Sequence, residues 1–543
     1  MRRRRDLAAD VAFGFMRLRL EPSITFGTNR YQPAAALRMQ IDLLDNVVFG
    51  DNDRLAGTPL FANDPSNTSL MTFNYGWGKE ASPFYLRRAW LEFMTPLGQI
   101  RIGRQPSHGG LGLLFNDGGI GPFGATPDNS FRNDFGDALA GTTFDRIAFF
   151  TRPLNIINTL AGTHIAEYKG PDGLPTTPFV LGLAYDWLVE DSRGYNNPST
   201  STVPPRSNIP FAFLAGSEYP GVRPSGTQGQ DDVFQSSLIF AWVDPEFNSR
   251  VSARDELIAA LVLVYRGQAH TSSDIWIGDA FYRLRWSAFG RRMPLIYSEG
   301  ELYTIQGTSN GVPLTGDYCD DPTAQSCTVP FGRTATRIGA NIWGGAARLG
   351  LEDPIWTALV ESGFSTGQAG LSLLGQKVFT QRPNNPNYLV GLLLYPVVLN
   401  VRTAMAYEIY SPSVWSQGGV WNSIYILPQL RFRPLGPMGG LELIGQFLLA
   451  FADQLNEPLN IQAGGSTGKC SSSISPECLL GWELDLALKV SWGPKDEMRW
   501  SNEFGVMGVG DALGAIDSQR DQRWGRLTQP LLWTLQSRIA FLF

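Results

Sequence analysis

The sequence has little charge and is especially poor in lysine and histidine. Charged residues make up 17% of its 543 residues, against about 25% in ordinary soluble domains. It has six lysines and three histidines, and its 50 acidic residues outnumber 44 basic ones, for a formal net charge of -6. The missing basic excess excludes nucleic-acid binding. Because 43% of the residues are hydrophobic and 12% aromatic, a disordered chain is excluded as well.

Long hydrophobic runs are also missing. Residues 257–265 are bounded by Glu256 and Arg266, and residues 389–399 contain Pro396. A membrane-spanning helix needs about 18 or more consecutive apolar residues, so helical spans are not predicted. The other structure that crosses a bilayer is a closed β-barrel, whose strands alternate apolar and polar side chains.

That alternation recurs along the whole chain and is clearest at residues 480–492. Trp482, Leu484, Leu486 and, at the end of the segment, Trp492 stand at even-numbered positions. Glu483 and the other polar residues stand at odd-numbered positions. A strand places the two sets on opposite faces, and tryptophans at both ends fit the aromatic girdles of membrane barrels. A soluble β-sandwich or propeller also alternates. The bulky, aromatic character of the apolar face and the lack of a blade-length repeat favour the barrel.

Connection lengths predict short turns at one end of the barrel and long loops at the other. Short connections lie near residues 95–98, 290–292, 351–354, 434–440 and 493–497, and long ones near 47–82, 106–140, 191–231, 307–334, 366–419, 454–478 and 510–529. The pattern contains 17 strands. Since single-chain bacterial barrels have even counts, we expect about 18, in a range of about 16–20.

Two explanations for the odd count remain open. One is a strand hidden within residues 150–178 or 386–410, and the other is a chain that is short at its front end. No signal peptide is visible, because four arginines after Met1 are followed by Asp6 and Asp10 rather than by an apolar core. We therefore expect Met1 to be an internal start or an artificial boundary, and residues 1–543 to form a single transmembrane barrel without its signal peptide.

The four cysteines form two closely spaced pairs inside predicted long loops. Cys319 and Cys327 bracket one short polar stretch, and Cys470 and Cys478 bracket another. Neither pair has CxxC spacing or a neighbouring histidine, so zinc binding is disfavoured. In an oxidising compartment such pairs form disulfides, and we predict Cys319–Cys327 and Cys470–Cys478 bridges.

An early hairpin carries a family resemblance. RRAWLEF at 87–93, TPLG at 95–98 and QIRIGRQ at 99–105 resemble the early hairpin of Gram-negative general porins. The continuation through residue 118 resembles an uncharacterised family of large outer-membrane barrels from soil and predatory bacteria. The resemblance implies a bacterial outer-membrane location. The longer chain and the missing acidic porin loop mean that trimer formation and eyelet residues are not carried over.

The last strand adds a second resemblance. Residues 531–543 place Leu531, Trp533, Leu535, Ile539 and Phe541 on the parity of the terminal Phe543. A terminal aromatic residue in such a strand resembles the signal by which outer-membrane barrels are recognised by the barrel-assembly machinery. We expect that machinery, outer-membrane lipid and lipopolysaccharide as partners, and no nucleic acid.

Strand parity predicts which charges face the barrel lumen. The pore-lining candidates are Arg17, Arg19, Arg38, Asp42, Arg88, Glu92, Arg101, Arg283, Arg285, Arg431, Arg433, Glu483, Asp485, Arg499, Glu503 and Arg538. Arg17, Arg19, Arg38 and Arg538 are expected to form a basic wall where the barrel closes. Residues 106–140 are the candidate inward-folded constriction, and residues 386–415 are a candidate second inserted segment.

The leading functional prediction is an outer-membrane porin-like channel for passive diffusion of small hydrophilic solutes or ions. The alternative is a loop-plugged barrel that acts as an adhesin, receptor or complex scaffold. An enzyme is not predicted, because the sequence has no HExxH, GxSxG, P-loop or dinucleotide motif. No cofactor or metal is predicted, and the three histidines lie far apart at positions 108, 164 and 270.

Overall fold

The computed structural model describes the strands and the segments packed against them. The described residues are 13–27, 34–50, 84–118, 135, 142–162, 177–187, 233–244, 247, 255–268, 272–290, 293–310, 337–367, 378–400, 403, 416, 418–436, 439–455, 468–469, 478–493, 497–513 and 531–541. Met1, Phe543 and the cysteines Cys319, Cys327 and Cys470 lie outside them.

Strands dominate the described chain. They are β1 Phe13–Leu20, β2 Ser23–Phe26, β3 Ala35–Gly50, β4 Phe84–Thr95, β5 Gly98–Pro106, β6 Thr143–Thr151, β7 Phe179–Trp187, β8 Val233–Asp244, β9 Glu256–Gln268, β10 Ser273–Trp286, β11 Leu295–Asn310, β12 Arg337–Glu352, β13 Trp356–Ser365, β14 Val378–Phe379, β15 Ser423–Phe432, β16 Leu441–Ala452, β17 Gln454–Leu455, β18 Gly468–Lys469, β19 Leu479–Trp492, β20 Met498–Val509 and β21 Leu531–Phe541. The described helical elements are α1 Pro153–Leu160, a π-helix Leu394–Leu399 and a 3-10 turn Asp511–Leu513.

A single antiparallel sheet of 19 strands contains nearly all of these strands. Each long strand pairs with the next long strand of the chain, as β4 does with β5 and β20 with β21. β1 and β2 both pair with β3 and so occupy one position, and β14 is a two-residue parallel addition to β12. The remaining 17 positions (19 less these two) coincide with the 17 strands of the sequence pattern. The all-β antiparallel architecture is thus confirmed.

The two places suspected of hiding a strand contain helical structure in their described parts. α1 begins two residues after β6 ends, and the π-helix lies within residues 386–410. Pro396 stands inside the π-helix, where its missing N–H removes a hydrogen bond that a regular helix would need. None of the described helices is long and apolar enough to cross a membrane.

Burial in the sheet is inverted relative to a soluble protein. In β19 the carboxylates Glu483 and Asp485 are completely buried, while Trp482, Leu484 and Leu486 are exposed. The same alternation recurs on neighbouring strands. The exposed apolar side chains of the outward faces, which we call the outer belt, include Ile102, Ile147, Leu183, Leu261, Leu302, Leu349, Ile426, Leu430, Leu484, Leu486 and Trp533.

The long-loop half of the interior holds an apolar core built from two inserted segments. The first inserted segment comprises residues 107–118 and follows β5, and the second comprises residues 380–400 and follows β14. Leu113 and Leu394 are fully buried in one cluster with inward-facing strand residues such as Ile275 and Ile342. The backbone N–H of Asn385 donates to the carbonyl of Leu113 (2.7 Å), which joins the two segments. The two segments therefore place apolar side chains against the inner face of the sheet at this end.

Candidate functional site

A ladder of alternating charges crosses four adjacent strands on the inner wall. Arg283, Glu299, Arg348 and Glu361 stand directly opposite one another on β10, β11, β12 and β13. Arg283 Nε lies 3.0 Å from Glu299, and Arg348 lies 2.9 Å from Glu299 and 2.6 Å from Glu361. Directly opposed positions bring cross-strand side chains together. Each buried charge is therefore paired with one of opposite sign, as burial demands.

The second inserted segment completes this ladder through a tyrosine. The hydroxyl of Tyr388 donates to Glu361 (2.7 Å), and Tyr425 of β15 donates to the same oxygen (2.5 Å). The Arg348 guanidinium lies over the Tyr388 ring, 5.5 Å from its centre. Burial raises the pKa of Tyr388 well above its ordinary value, so its hydroxyl keeps its proton and remains a donor. The segment is thus held to the wall by a charge-assisted hydrogen bond.

A second ladder crosses β6 to β9 toward the long-loop end. Arg146, Asp186, Gln235 and Arg266 occupy directly opposed positions. Arg146 makes a two-pronged contact with Asp186 (2.5 and 2.9 Å), the Gln235 amide donates to Asp186 (2.5 Å), and Arg266 donates to Gln235 (3.0 Å). Asp186 and Gln235 are completely buried. These residues form a continuous polar stripe on the inner wall.

Two predicted lumen residues of the front strands meet at one carboxylate. Glu92 on β4 lies 2.8 Å from Arg38 on β3 and 3.5 Å from Arg101 on β5. The indole N–H of Trp90 also donates to Glu92 (2.9 Å). One carboxylate thus faces two guanidinium groups, both of them more than a third exposed. These residues form the Glu92 cluster.

The predicted arginines near the short-turn end are also paired. Arg285 lies 3.2 Å from Glu352, and Glu442 lies 3.4 Å from Arg431 and 3.0 Å from Arg433. At the last two strands Arg538 contacts Glu503. In the predicted basic wall, Arg38 and Arg538 therefore each face a carboxylate on an adjacent strand. The side chains of Arg17 and Asp42 lie outside the described residues, and Arg19 is half-buried.

Glu483 binds the backbone of the second inserted segment. Its two oxygens accept the N–H groups of Leu392 (2.5 Å), Leu393 (2.7 Å) and Leu394 (2.8 Å). Gly391 precedes them with φ +70°, and a Cβ there would stand 2.8 Å from a Glu483 oxygen. Successive N–H groups that converge on one point form an anion-binding concavity. Here the wall supplies the anion, and we call this contact the Glu483 cradle.

Glu301 makes an equivalent cradle for the first inserted segment. It accepts the N–H groups of Gly112 (2.9 Å) and Leu113 (3.2 Å), and Gly110 stands before them with φ +51°. A Cβ at Gly110 would lie 2.6 Å from a Glu301 oxygen. The wall residue Arg88 also donates to the carbonyl of Asp117 (2.5 Å) in this segment. Two independent segments are therefore docked by the same kind of contact.

The remaining predicted positions differ in burial. Asp485 is buried next to Glu483 and accepts a hydrogen bond from Gln446 (2.9 Å), and Arg499 on β20 is half-buried. Cys478 is buried and is not a free cysteine. The other three cysteines lie outside the described residues, so the predicted pairing stays a prediction. Likewise, Phe135 packs on Leu392 in a small core cluster, but whether residues 106–140 narrow a pore stays a prediction.

Several interior residues were absent from the sequence-based set. They are Arg146, Asp186, Gln235, Arg266, Glu299, Glu301, Arg348 and Glu361. β11 carried a usable signal, since Glu299 and Glu301 share one parity. β12 carried almost no such signal, because its many glycines and alanines leave no clear alternation of polar and large apolar residues.

Comparison with known proteins gives structural likeness at low sequence identity. No protein-family model matches the chain, and no curated protein matches it. OpdQ of Pseudomonas aeruginosa is 10% identical, with 97% of this chain and 91% of that chain covered and a TM-score of 0.43. The outer membrane protein OpdK of the same species is 10% identical (93% and 87% covered, TM-score 0.39). OccAB2 of Acinetobacter baumannii is 11% identical (93% and 86%, TM-score 0.41). These are solved structures to which the chain is similar at low sequence identity.

Proposed function

We propose that this protein is an outer-membrane channel through which small hydrophilic solutes or ions diffuse. The inverted alternation of β19 carries the proposal, because it buries Glu483 and Asp485 inside and exposes Trp482, Leu484 and Leu486 outside. A soluble protein gains no free energy from that arrangement, whereas a barrel in lipid does. The outer belt then faces lipid and lipopolysaccharide, and the C-terminal strand is the element that the barrel-assembly machinery recognises.

The lumen chemistry supports solute passage in the short-turn half. The Glu92 cluster and the Arg431–Glu442–Arg433 group keep both signs of charge on the inner wall there. Fixed charges at close quarters set which ions enter a pore. The two inserted segments lie in the other half, so we place the constriction at the long-loop end.

The filled interior favours a second candidate. Leu113, Leu394, Tyr395 and Trp421 are buried together inside the wall, and an apolar cluster of this kind closes a pore rather than lining it. In that case the barrel is a loop-plugged receptor, adhesin or scaffold. This candidate has the same membrane location as the first, but the plugged barrel conducts no current.

Planar-bilayer recording separates the two candidates. We expect the purified, refolded chain to produce stepwise current increments of uniform size, because a charged wall supports a water-filled path. Detergent buffer alone serves as the control. Insertions shown by antibody labelling to be present in the bilayer but electrically silent would contradict the channel and favour the plugged barrel.

A charge substitution in the Glu92 cluster tests whether these residues line the path. Glu92→Gln removes one negative charge and leaves Arg38 and Arg101 unneutralised, so we expect the reversal potential in a KCl gradient to shift toward anions. Asp145→Asn removes the same charge from a pair with Arg104, on the face of β6 that also carries the exposed Ile147, and is the matched control. Equal shifts in the two variants would show that Glu92 does not line the path.

A further inference from the structure

α1 presents its apolar side chains away from the protein. Leu154, Ile157 and Leu160 are spaced three apart, so they share one helix face, and Ile157 and Leu160 are 57% and 82% exposed. The polar Asn155 instead turns toward the protein, where its side-chain oxygen accepts the N–H of Thr177 (2.9 Å). An amphipathic helix on a soluble protein has the opposite orientation. α1 therefore presents an apolar outer face.

The other connections at the same end repeat this exposure. Thr151, just before α1, donates to the carbonyl of Leu97 in the β4–β5 turn (2.6 Å), so that turn borders α1. Large apolar side chains stand exposed at the tips of four such turns. They are Leu97 (59%), Phe289 (62%), Met293, Ile355 and Leu435 (64%). Together with the apolar face of α1 they form what we call the short-turn rim.

The distribution of the short-turn rim identifies what covers it. Its members follow β4, β6, β10, β12 and β15, so within the described residues they extend along the sheet from β4 to β15 and are not confined to one sector. A protein partner docks on one sector, whereas lipid surrounds a barrel on every side. The rim also continues the outer belt without a polar break at β15, where Leu430 and Phe432 are exposed just before Leu435.

We propose that the short-turn rim and α1 are seated in the lipid headgroup layer, with α1 acting as an interfacial helix that anchors this end of the barrel. An interfacial helix buries its apolar face about 5–10 Å into the boundary between headgroups and acyl chains. The inference rests on the proposed membrane location of the barrel. It adds that the turns at this end lie in lipid rather than in the aqueous compartment.

Site-directed spin labelling in lipid vesicles tests the inference. Ile157→Cys and Leu435→Cys report on the rim, and Leu486→Cys reports on the outer belt; each is labelled in the refolded full-length chain, with the unsubstituted chain as the labelling control. Collision rates with oxygen and with a water-soluble nickel complex give the depth of each label, calibrated with spin-labelled lipids. We expect both rim labels about 5–10 Å below the phosphate level and the belt label deeper.

Each other outcome identifies which idea fails. Rim labels with aqueous collision rates beside a belt label in lipid would overturn the inference and leave the membrane location standing. Rim labels shielded from both reagents would show contact between copies of the chain and would also overturn it. A belt label in water would contradict the proposed function itself.

Discussion

Arg348→Met is expected to destabilise the protein by about 3–5 kcal/mol, the usual cost of breaking a buried ion pair from one side. Arg348 lies between Glu299 and Glu361, and all three side chains are almost fully buried. Methionine fills similar space but leaves Glu361 without its arginine in the interior. Unfolding by guanidinium chloride in lipid or detergent, followed by tryptophan fluorescence, measures the loss.

Two comparisons separate charge from shape. Arg104→Met breaks a pair with Asp145 in which both side chains are about 40% exposed, and such pairs contribute only about 0–1 kcal/mol. Adding Glu361→Gln to Arg348→Met removes the stranded charge, while Glu299 keeps its pair with Arg283, so part of the stability should return. Equal losses for Arg348→Met and Arg104→Met would show that the ladder does not stabilise the wall.

Glu483→Ala is expected to release the second inserted segment and to raise single-channel conductance with larger current fluctuations. The substitution leaves the N–H groups of Leu392, Leu393 and Leu394 without their acceptor. Hydrogen bonds to a charged group contribute about 1.5–3 kcal/mol each. If the unaltered barrel is closed, the same variant should open it. Planar-bilayer recording at one voltage and salt concentration measures the change.

A substitution in the second inserted segment, on the other side of the Glu483 cradle, should also raise single-channel conductance. Gly391→Ala places a Cβ against the Glu483 carboxylate and strains a backbone with φ +70°. Glu352→Gln is the matched control, because Glu352 pairs with Arg285 on the short-turn side. Unchanged conductance in both cradle variants, with the barrel still folded, would show that this segment does not restrict the path.

The residue pattern of β10 reflects where the inserted segments pack against the inner wall. β10 begins with apolar residues on both faces, since Ile275 and Ile277 point inward while Trp276 is exposed. Farther along, Arg283 and Arg285 take over the inward parity. A strand that is apolar on both faces indicates cover on both sides. The change from two-sided to one-sided apolarity along β10 therefore marks where the inserted segments end.

The sequence by itself determined the strands, their order and the face that each presents. Alternation has a period of two and acts within one strand, and short turns join neighbours, so these features are local. Only the tertiary structure decided which charges meet. The Arg283–Glu299–Arg348–Glu361 ladder depends on the register of three separate strand pairs, and a shift of one residue would turn its charges to the other face. The cradles depend on even more distant pairing, since Glu483 binds backbone about 90 residues away. Backbone N–H groups are the same in every residue, so no side-chain pattern marks that contact in advance.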